Sequence, residues 1–513
     1  MTTLSRSTLA RALALAAFAL PLSAQTTFQA LGSSIPWLTV LDMSADGSAL
    51  VATDGSQSYL WTTTNPTFTA FANVGLWDCD VANGGAYVSA TLPDPNNGNL
   101  ETAARWSAAS GQWTFLPTLG GVSGTSASSA YDLSEDGSVV VGLGWISANR
   151  AHAFRWDAQN GTVDLGAFGG AQNSSRPNAV SADGTTAAGW DEDPITGVWR
   201  ASRWSGLTEN LLGCLDPSDP INGPSQAETV SGNGVYVAGK SASGLSTPSG
   251  WNEMHLFRWD PLNGLIDRGT CNIDPFGWGN HETIPSGISD DGRVIVGGAG
   301  TAGFFGGGLR PFISREGSPM TLLQDDLLAL GVPEAATWIF GDVVGISRDG
   351  RVLAGNGYNA QFVAEPFRVV FPPLAESYCT AKVNSLGCTP AMFASGIASA
   401  SSFLPFDVGA SNVLNNKNGL LYFGFSPMSA PFQGGTKCVG IPTARTGLQD
   451  SGGTVLGNDC SGTYSFEFNA LIQSGVMPQL AIGAKVYAQY WSRDPQATAT
   501  TGLTNALSFT VFP

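Results

Sequence analysis

The first 370 residues of the chain alternate between short apolar runs and turn-forming phrases at a regular spacing. Runs rich in β-branched residues, such as Ser138–Gly142 and Arg293–Gly297, each follow a Ser-x-Asp-Gly phrase and end in glycine. An Asp-Gly or Asn-Gly pair favours a tight hairpin turn, and a short apolar run between turns is typical of a buried strand. Seven copies of the phrase, one of them degenerate, recur about every 50 residues and begin at Ser44, Ala82, Ser134, Ser181, Ser231, Ser289 and Ser347.

Each copy continues with two further strands. The first ends in an aromatic residue, as in Phe154–Trp156, and the second ends in Leu-Gly, as in Thr162–Gly166. With the strand that precedes the Ser-x-Asp-Gly phrase, each copy holds about four short strands, which is one blade of a β-propeller. The sequence therefore predicts an all-β chain with a seven-bladed β-propeller over residues 25–372.

The two ends of this repeat region are complementary. The seventh copy stops at Phe371–Pro373 without a Leu-Gly strand, whereas Phe28–Gly32 is a Leu-Gly strand with no copy of its own. We expect this N-terminal strand to complete the last blade, because that pairing closes the ring and removes an exposed sheet edge.

Two phrases in the third copy resemble a known group of repeats. Ala151–Trp156 (Ala-His-Ala-Phe-Arg-Trp) and Asp164–Gly170 (Asp-Leu-Gly-Ala-Phe-Gly-Gly) are similar to the extracellular His-Ala-Phe-type (HAF) repeats of secreted and surface bacterial proteins. The resemblance extends over roughly residues 30–370, although only the third copy carries the full phrase. It implies an extracellular location and a repeat fold, and it implies no particular activity.

The N-terminal segment is typical of export. Residues 1–24 combine Arg6 and Arg11 with an apolar stretch from Ala12 to Leu22, so we expect a signal peptide there and a secreted or cell-surface chain from Gln25. No later run reaches about 18 apolar residues, and we predict no transmembrane segment. The formal net charge of −17 argues against nucleic acid or anionic lipid as a partner.

A second domain begins after the repeats. Beyond Phe371–Glu376 the period of about 50 residues disappears, and short alternating strands follow, such as Gly419–Gly424 and Lys485–Trp491. Turn clusters rich in Asn and Gly separate them. This pattern predicts a β-sandwich or jelly-roll domain over residues 373–513.

Three phrases of this C-terminal segment resemble a known module. Tyr378–Pro390, Pro431–Gly435 and Gln489–Pro495 are similar to the C-terminal module of large exported proteins from planctomycete-type bacteria. The resemblance covers nearly the whole segment. It implies a role in retention, display or carbohydrate contact outside the cell.

Four cysteines lie in the C-terminal segment, and disulfide pairing is the default expectation for an exported chain. Among the three possible pairings we favour Cys379 with Cys388 and Cys438 with Cys460, because each closes a short local loop.

Three more cysteines lie in the repeat region. Cys214 and Cys271 stand at equivalent points after the closing strands of consecutive copies, and we expect that they could bridge neighbouring blades. Cys79 would then be the odd thiol.

Loops on a rigid scaffold are where binding residues concentrate. His152 and His255 occupy one repeated position in the aromatic strand, which is typical of packing, whereas His281 lies in an irregular loop. We predict that this loop and the one before it form a ligand-binding patch. Its residues are Trp251, Glu253, Asp274, Trp278, His281 and Glu282.

Calcium is the metal that the repeats suggest. Asp42 and Asp46, and likewise Asp132 and Asp136, place oxygen ligands at alternating positions before a glycine, as in the first half of an EF-hand loop. Both loops lack the glutamate that an EF-hand carries at its twelfth position, and hairpin turns explain the phrase without a metal. We therefore expect no cofactor and keep calcium as the alternative.

An arginine recurs in the aromatic strands. Because neighbouring positions of a strand point to opposite faces, we expect it to point away from the aromatic side chain, pair with turn aspartates and staple adjacent strands. The repeated residues are Arg105, Arg155, Arg203, Arg258 and Arg368.

The chain contains no nucleophile elbow, His-Glu-x-x-His zinc motif or phosphate-binding loop. We predict an exported, non-enzymatic propeller that presents an interaction surface to extracellular carbohydrate or a surface protein. One alternative is a propeller lyase or glycosidase that acts on extracellular polysaccharide, since its carboxylates would be distant in sequence. Clustered Asp, Glu, His or Tyr in the central channel would favour that enzyme. The other alternative is a structural envelope component.

Overall fold

The computed structural model describes residues 26–32, 35–76, 78–219, 223–246, 252–271, 280–302 and 308–513. The chain is all-β, with 53% of residues in strands and 5% in helices. The predicted signal peptide lies outside the described residues. Within the described residues, no helix is long and apolar enough to cross a membrane.

Seven antiparallel units of four strands occupy the repeat region. One strand precedes them, β1 (Thr27–Ala30). Unit 1 holds β2 (Thr39–Met43), β3 (Ala49–Thr53), β4 (Ser58–Thr62) and β5 (Thr69–Ala72). Unit 2 holds β6 (Cys79–Val81), β7 (Tyr87–Asp94), β8 (Leu100–Ser107) and β9 (Gln112–Phe115). Unit 3 holds β10 (Ser128–Leu133), β11 (Val139–Ser147), β12 (Arg150–Asp157) and β13 (Gly161–Gly166). Unit 4 holds β14 (Ser175–Val180), β15 (Thr186–Glu192), β16 (Trp199–Ser205) and β17 (Thr208–Gly213).

The remaining units follow the same order. Unit 5 holds β18 (Ser225–Val230), β19 (Val237–Ser246), β20 (Asn252–Asp260) and β21 (Gly264–Gly269). Unit 6 holds β22 (Asn280–Ile288), β23 (Val294–Ala302), β24 (Arg310–Arg315) and β25 (Thr321–Leu322), and the short helix α1 (Leu323–Ala329) follows it. Unit 7 holds β26 (Ile339–Ile346), β27 (Val352–Tyr358), β28 (Ala364–Val370) and β1. The 3₁₀ turns Asn83–Gly85 and Pro333–Ala336 also lie in this region.

The N-terminal strand completes the last unit, as its sequence predicts. β1 runs antiparallel to β28, with Phe28 opposite Val369 and Ala30 opposite Phe367. The Phe28 ring packs against Phe367 and Trp338 at centroid distances of 5.8 and 4.9 Å. The two ends of the repeat region are therefore joined both by strand pairing and by an aromatic cluster.

The first strands of the units form a closed cycle. Each lies against the first strand of the next unit, and β26 lies against β2. Most units are separate sheets, but Met254 of β20 and Glu282 of β22 form one parallel pair that links units 5 and 6. The first strands thus surround a common axis.

The Ser-x-Asp-Gly phrase builds a side-chain-bonded turn at the end of the first strand in six of the seven units, with Asn233 in place of the aspartate in unit 5. In unit 3, the Ser134 hydroxyl donates to the Asp136 carboxylate at 2.7 Å and accepts from the Val139 amide at 3.0 Å. Asp136 also accepts from the Ser138 amide at 2.9 Å. Gly137 has φ of 68°, a left-handed conformation that suits glycine. The serine, aspartate and glycine of the phrase therefore stabilise the turn in which they lie.

The glycine that ends each β-branched run lies where the second strand passes the first. A Cβ on Gly142 would stand 2.0 Å from the carbonyl oxygen of Ser129 and 2.8 Å from the Phe154 ring. In units 4 to 7, a Cβ added to the equivalent glycine would lie 2.0 to 2.1 Å from a carbonyl oxygen of the first strand. These glycines are Gly189, Gly239, Gly297 and Gly355. Only a residue without a side chain fits so close a backbone approach.

The repeated arginines join neighbouring units, and two of them pair with an aspartate at a turn, as expected. Arg155 pairs with Asp157 and Arg258 with Asp260, and Arg258 also reaches Glu316 of the next unit. The other contacts go to a different partner. Arg105 donates to the carbonyl of Gly137 at 2.6 Å, and Arg155 donates to that of Gly184 at 3.0 Å. Arg203 and Arg368 reach the equivalent glycine carbonyl of the following unit in the same way. The aspartate of each Ser-x-Asp-Gly phrase accepts hydrogen bonds within its own turn, so these arginines use the carbonyl of the buried glycine beside it.

The C-terminal segment forms two sheets and a hairpin. Its strands are β29 (Ala375–Tyr378), β30 (Ala391–Ser395), β31 (Asp407–Val413), β32 (Asn418–Gly424), β33 (Pro427–Phe432), β34 (Gly435–Val439), β35 (Ala444–Arg445), β36 (Gln449–Asp450), β37 (Gly462–Glu467), β38 (Lys485–Arg493) and β39 (Thr501–Thr510). Helix α2 (Asn469–Gln473) and the 3₁₀ turn Thr498–Thr500 complete it. One sheet has the order β29-β39-β38-β32-β35, with β36 also on β32, and the other is β30-β31-β37. Both contribute to one buried core, which includes Phe406, Leu421, Tyr490 and Phe509.

The disulfide pairing predicted from loop length is wrong. The structure joins Cys379 to Cys438 and Cys388 to Cys460, which are 59 and 72 residues apart. The fold brings distant loops together because β29 lies beside β39 and the β33–β34 hairpin folds back toward it. Local loop closure was therefore a poor guide to the pairing.

The predicted bridge between Cys214 and Cys271 is also wrong, since both are free thiols, as is Cys79. Cys214 is buried, and its Sγ accepts from the Ser241 hydroxyl at 3.2 Å. Burial, with a smaller effect from Asp325, raises the pKa of Cys271 to about 11.

Candidate functional site

The loop face of the repeat region is the end at which the first strands begin, opposite the Ser-x-Asp-Gly turns. A concave cleft of about 500 Å³ opens there across units 4, 5 and 6. Trp199, Lys240, Asn252, Met254 and Glu282 line it. We refer to these five residues as the loop-face cleft. Its volume is that of a pocket for a small organic ligand.

An aromatic platform forms one wall of the cleft. The Trp199 ring stacks on the Trp190 ring with centroids 4.3 Å apart and an angle of 9° between planes. Trp190 is 5% exposed, whereas Trp199 is 45% exposed. The inner indole holds the outer one in place, so the outer ring is a preformed flat apolar surface.

A charged pair forms the opposite wall. Lys240 Nζ lies 3.4 Å from Glu282 Oε1, and both side chains are largely buried. Asn252 is exposed beside them and offers an amide. A flat aromatic ring opposite an ammonium, a carboxylate and an amide suits a ligand with one apolar face and several hydroxyl groups.

Part of the predicted ligand patch falls in this region. The loop assignment was wrong for three of its residues, since Glu253 lies on β20 and both His281 and Glu282 lie on β22. Glu282 lines the loop-face cleft, while Glu253 Oε2 lies 3.3 Å from His255 Nε2. Trp251, Asp274 and Trp278 lie outside the described residues, and so does the His281 side chain. The structure therefore brings one residue of the predicted patch into the cleft.

Acidic side chains cluster in the channel between the first strands. Asp42 accepts from the Val81 amide at 2.9 Å, and Asp132 accepts from the Val180 amide at 2.6 Å. Burial raises the pKa of Asp42 and of Asp132 to about 7, although these hydrogen bonds act in the opposite direction. Burial also raises the pKa of Asp80, and the charges of Asp132 and Asp42 add to the effect. Asp42 and Asp132 are therefore close to half-protonated at neutral pH, and Asp80 is shifted in the same direction.

A hydrogen-bonded chain continues around the channel toward the cleft. Arg176 donates to Asn178 Oδ1 at 2.8 Å and lies over the Tyr131 ring at 4.6 Å. Asn178 in turn donates to Glu228 Oε2 at 2.9 Å. Burial raises the pKa of Glu228 to about 7, opposed by the charges of Lys240 and Arg176. Since Lys240 also lines the cleft, the two regions share one electrostatic environment.

The turn end of the channel is closed by a ring of hydrogen bonds. The second residue of each turn phrase takes part in a hydrogen bond to the neighbouring turn, at donor–acceptor distances of 2.7 to 3.3 Å. The bond between the first two turns runs from the Asp46 amide to the Asn83 side chain. The second residues are Ala45, Asn83, Glu135, Ala182, Gly232, Asp290 and Arg348. Arg348 also reaches across this end. Its Nε donates to Glu135 Oε1 at 2.8 Å and its Nη1 to the Val230 carbonyl at 2.9 Å. The channel space beside these groups is about 90 Å³, room for a few waters only.

The calcium candidates do not act together. Asp46 and Asp136 are bound within their turns, whereas Asp42 and Asp132 bond to the next unit's first strand. In the part of the chain that the structure describes, no group of three or more His, Cys, Asp or Glu has the geometry to hold a metal ion.

The two repeated histidines are buried and paired. His152 Nδ1 lies 2.9 Å from Asp164, and His255 Nδ1 lies 3.0 Å from Asp267, each aspartate on the fourth strand of its unit. The hydrogen bond with Asp267 raises the pKa of His255, although burial opposes it. These contacts hold the third strand to the fourth.

Several residues of the site were missed from the sequence. Asp80 is equivalent to Asp42 and Asp132, two positions before the turn phrase, and this recurrence in the first three copies was a usable signal. Trp199, Glu228 and Lys240 carry no such signal. They meet only because three units of the ring adjoin.

Comparisons with known proteins find solved structures at low similarity. No protein-family model and no curated protein matches the chain. Among solved structures, the β-propeller domain of the Trilobed protease from Pyrococcus furiosus is 9% identical with a TM-score of 0.41, covering 65% of this chain and 93% of its own. Oligogalacturonate lyase from Vibrio parahaemolyticus is 9% identical with a TM-score of 0.39, covering 67% and 97%. TolB from Acinetobacter baumannii is 12% identical with a TM-score of 0.33, covering 65% and 79%.

Proposed function

We propose that this chain is an exported, non-enzymatic binding protein that recognises carbohydrate in the loop-face cleft. In this proposal, residues 25–372 form a seven-bladed β-propeller and residues 373–513 form a β-sandwich held by two disulfides. The propeller is the recognition domain. Neutral or weakly charged glycans outside the cell are its ligands.

The arrangement of the units supports the seven blades. Seven four-stranded units, a closed cycle of first strands and the pairing of β1 with β28 together fit one closed ring. Two sheets over one core fit a sandwich. The two disulfides favour an oxidising compartment outside the cytoplasm.

The stacked Trp199–Trp190 pair beside Lys240 and Glu282 is the observation that carries the binding proposal. A sugar ring has an apolar face of C–H groups and an edge of hydroxyls. The exposed indole suits the face, and the polar wall suits the edge. A structural envelope component is expected to present flat loop faces, whereas this face carries a concave cleft.

A glycan array tests the proposal. The chain from Gln25 to Pro513 is applied with and without calcium, and each hit is titrated by calorimetry. We expect Trp199→Ala to weaken binding about tenfold, because it removes the stacking surface. Trp37→Ala is the matched control, since Trp37 is 77% exposed and outside the cleft. Full binding of a neutral glycan by Trp199→Ala, or no binding of any neutral glycan, would refute this function.

The channel carboxyls favour a second candidate, a lyase or glycosidase. Asp42 and Asp132, each with a pKa of about 7, have the protonation range that general acid–base catalysis needs. Against it, the space beside them is about 90 Å³, too small for a sugar unit. Turnover assays on the array hits decide between the two. Product release that is lost in Asp132→Asn would establish the enzyme.

A further inference from the structure

A second cavity lies in the C-terminal domain, under the hairpin β33–β34. Strand alternation sends Leu421 and Tyr490 into the core and leaves Leu420 and Trp491, which are register partners, on the outer face of the sheet. Tyr422 faces the same way. The hairpin lies over these side chains and lines, together with them, a partly open cavity of about 310 Å³.

The hairpin is held firmly in this position. Gln433 and Gly434 have φ of 49° and 76°, which makes a tight turn at its tip. Trp491 Nε1 donates to Gln433 Oε1 at 3.1 Å, and Lys382 Nζ donates to the Gln433 carbonyl at 3.0 Å. The Cys379–Cys438 disulfide fixes its other end. The cavity is therefore preformed, which lowers the entropic cost of binding.

The lining combines aromatic surface with positive charge. Trp491, Phe432 and Tyr422 supply the aromatic side chains, and Lys437 and Arg445 supply two cations. Within the described residues neither cation has an ion-pair partner, and the lining contains no Asp or Glu. In a chain with a net charge of −17, a cavity with two free cations and no acid selects for an anion.

We propose that this cavity, which we call the hairpin cavity, binds an anionic sugar residue that carries a carboxylate or a sulfate. The ring stacks on Trp491 or Phe432, and the anionic group is bound by Lys437 and Arg445. The volume is sufficient for one sugar residue, so an internal or terminal unit of an acidic glycan is the ligand. This site is separate from the loop-face cleft and does not depend on it.

Calorimetry on the chain from Gln25 to Pro513 tests this site with four probes. They are a galacturonate hexamer, its methyl ester, dextran sulfate and neutral dextran. We expect binding of the hexamer, of dextran sulfate or of both, and at least tenfold weaker binding of the two neutral probes. The galacturonate and sulfate arms separate a carboxylate ligand from a sulfate ligand.

Variants assign the site and separate it from the cleft. Lys437→Gln with Arg445→Gln should weaken anionic binding about tenfold or more, and Trp491→Ala should do the same. Arg310→Gln removes one exposed charge from β24 and should change nothing. Trp199→Ala should also leave anionic binding intact, so the proposals for the loop-face cleft and for the hairpin cavity can be refuted independently. Equal binding of charged and neutral probes, no binding of either anionic probe, or full binding by the double variant would overturn the proposal. Thermal unfolding of each variant confirms that it is folded.

Discussion

Replacement of Arg348 tests whether one side chain ties the turn end of the ring together. Arg348→Met keeps an unbranched side chain but removes both hydrogen bonds, to the Glu135 carboxylate and to the Val230 carbonyl. The Arg348 and Glu135 side chains are only 22% and 26% exposed, so water replaces the lost partner incompletely. We expect the free energy of unfolding to fall by about 2–3 kcal/mol, which is the range for a hydrogen bond to a charged group plus a carbonyl left without its donor.

The loss should depend on pH. The Arg348 charge lowers the pKa of Asp42 and of Asp132, against the larger effect of burial, which raises both to about 7. Without Arg348 these pKa values rise further. A carboxyl whose folded pKa exceeds its unfolded pKa stabilises the fold at low pH, and this stability is lost as pH rises through the folded pKa. The variant should therefore lose more stability at pH 8 than at pH 5.

Denaturant unfolding followed by tryptophan fluorescence measures this effect. Trp491 is the only one of the 15 tryptophans that lies after residue 373, so the signal reports mainly on the repeat region. Arg310→Met is the matched control, because Arg310 is exposed and its side chain, within the described residues, donates one hydrogen bond, to Gln324 at 3.3 Å. A double-mutant cycle with Glu135→Gln isolates the ion pair, for which we expect about 1 kcal/mol of coupling. A loss below about 0.5 kcal/mol at both pH values would refute the reasoning.

Three other perturbations follow from the same contacts. Burial raises the pKa of Glu228 to about 7, so the stability that its protonated form contributes is lost as pH rises through 7. Glu228→Gln should leave the free energy of unfolding unchanged at pH 5 and increase it by about 1–2 kcal/mol at pH 8, measured by denaturant titration. Gly142→Ala should destabilise by about 3 kcal/mol in the same assay because its Cβ meets a carbonyl oxygen at 2.0 Å, whereas Gly447→Ala, with open space around it, should have little effect; equal losses would contradict the close approach. Replacing Cys388 and Cys460 by serine opens a 72-residue loop and should cost the C-terminal domain about 4 kcal/mol in calorimetry, while replacing the free cysteines leaves this transition in place. Peptide mapping that finds the short local pairs would overturn this disulfide assignment.

The sequence predicted the fold well because its repeats carry local information. Asp-Gly turns, β-branched runs and Leu-Gly strands specify strands and hairpins within one copy, and the orphan strand at Phe28 specified the closure onto β28. The same local information explains the errors. Cys379 was paired with its neighbour in sequence, although the partner, Cys438, comes from a hairpin 59 residues away.

The candidate site was predicted only in part, for the same reason. Glu282 lines the loop-face cleft, but its neighbours Trp199 and Lys240 come from two other units. Lys437 and Arg445 attract no attention in the sequence, since an isolated lysine or arginine usually lies on a solvated surface. They become a site because the hairpin β33–β34 covers the outer face of the sheet beside them.

The sequence by itself determined the elements, their number in each repeat and the way the repeat region closes. Each of these depends on residues within about 50 positions, where turn chemistry and strand alternation act directly. Only the tertiary structure decided the disulfide pairs, the acidic channel and the two cavities. These depend on which units adjoin in the ring and on how a hairpin folds across a sheet, and that proximity is a property of packing rather than of local sequence.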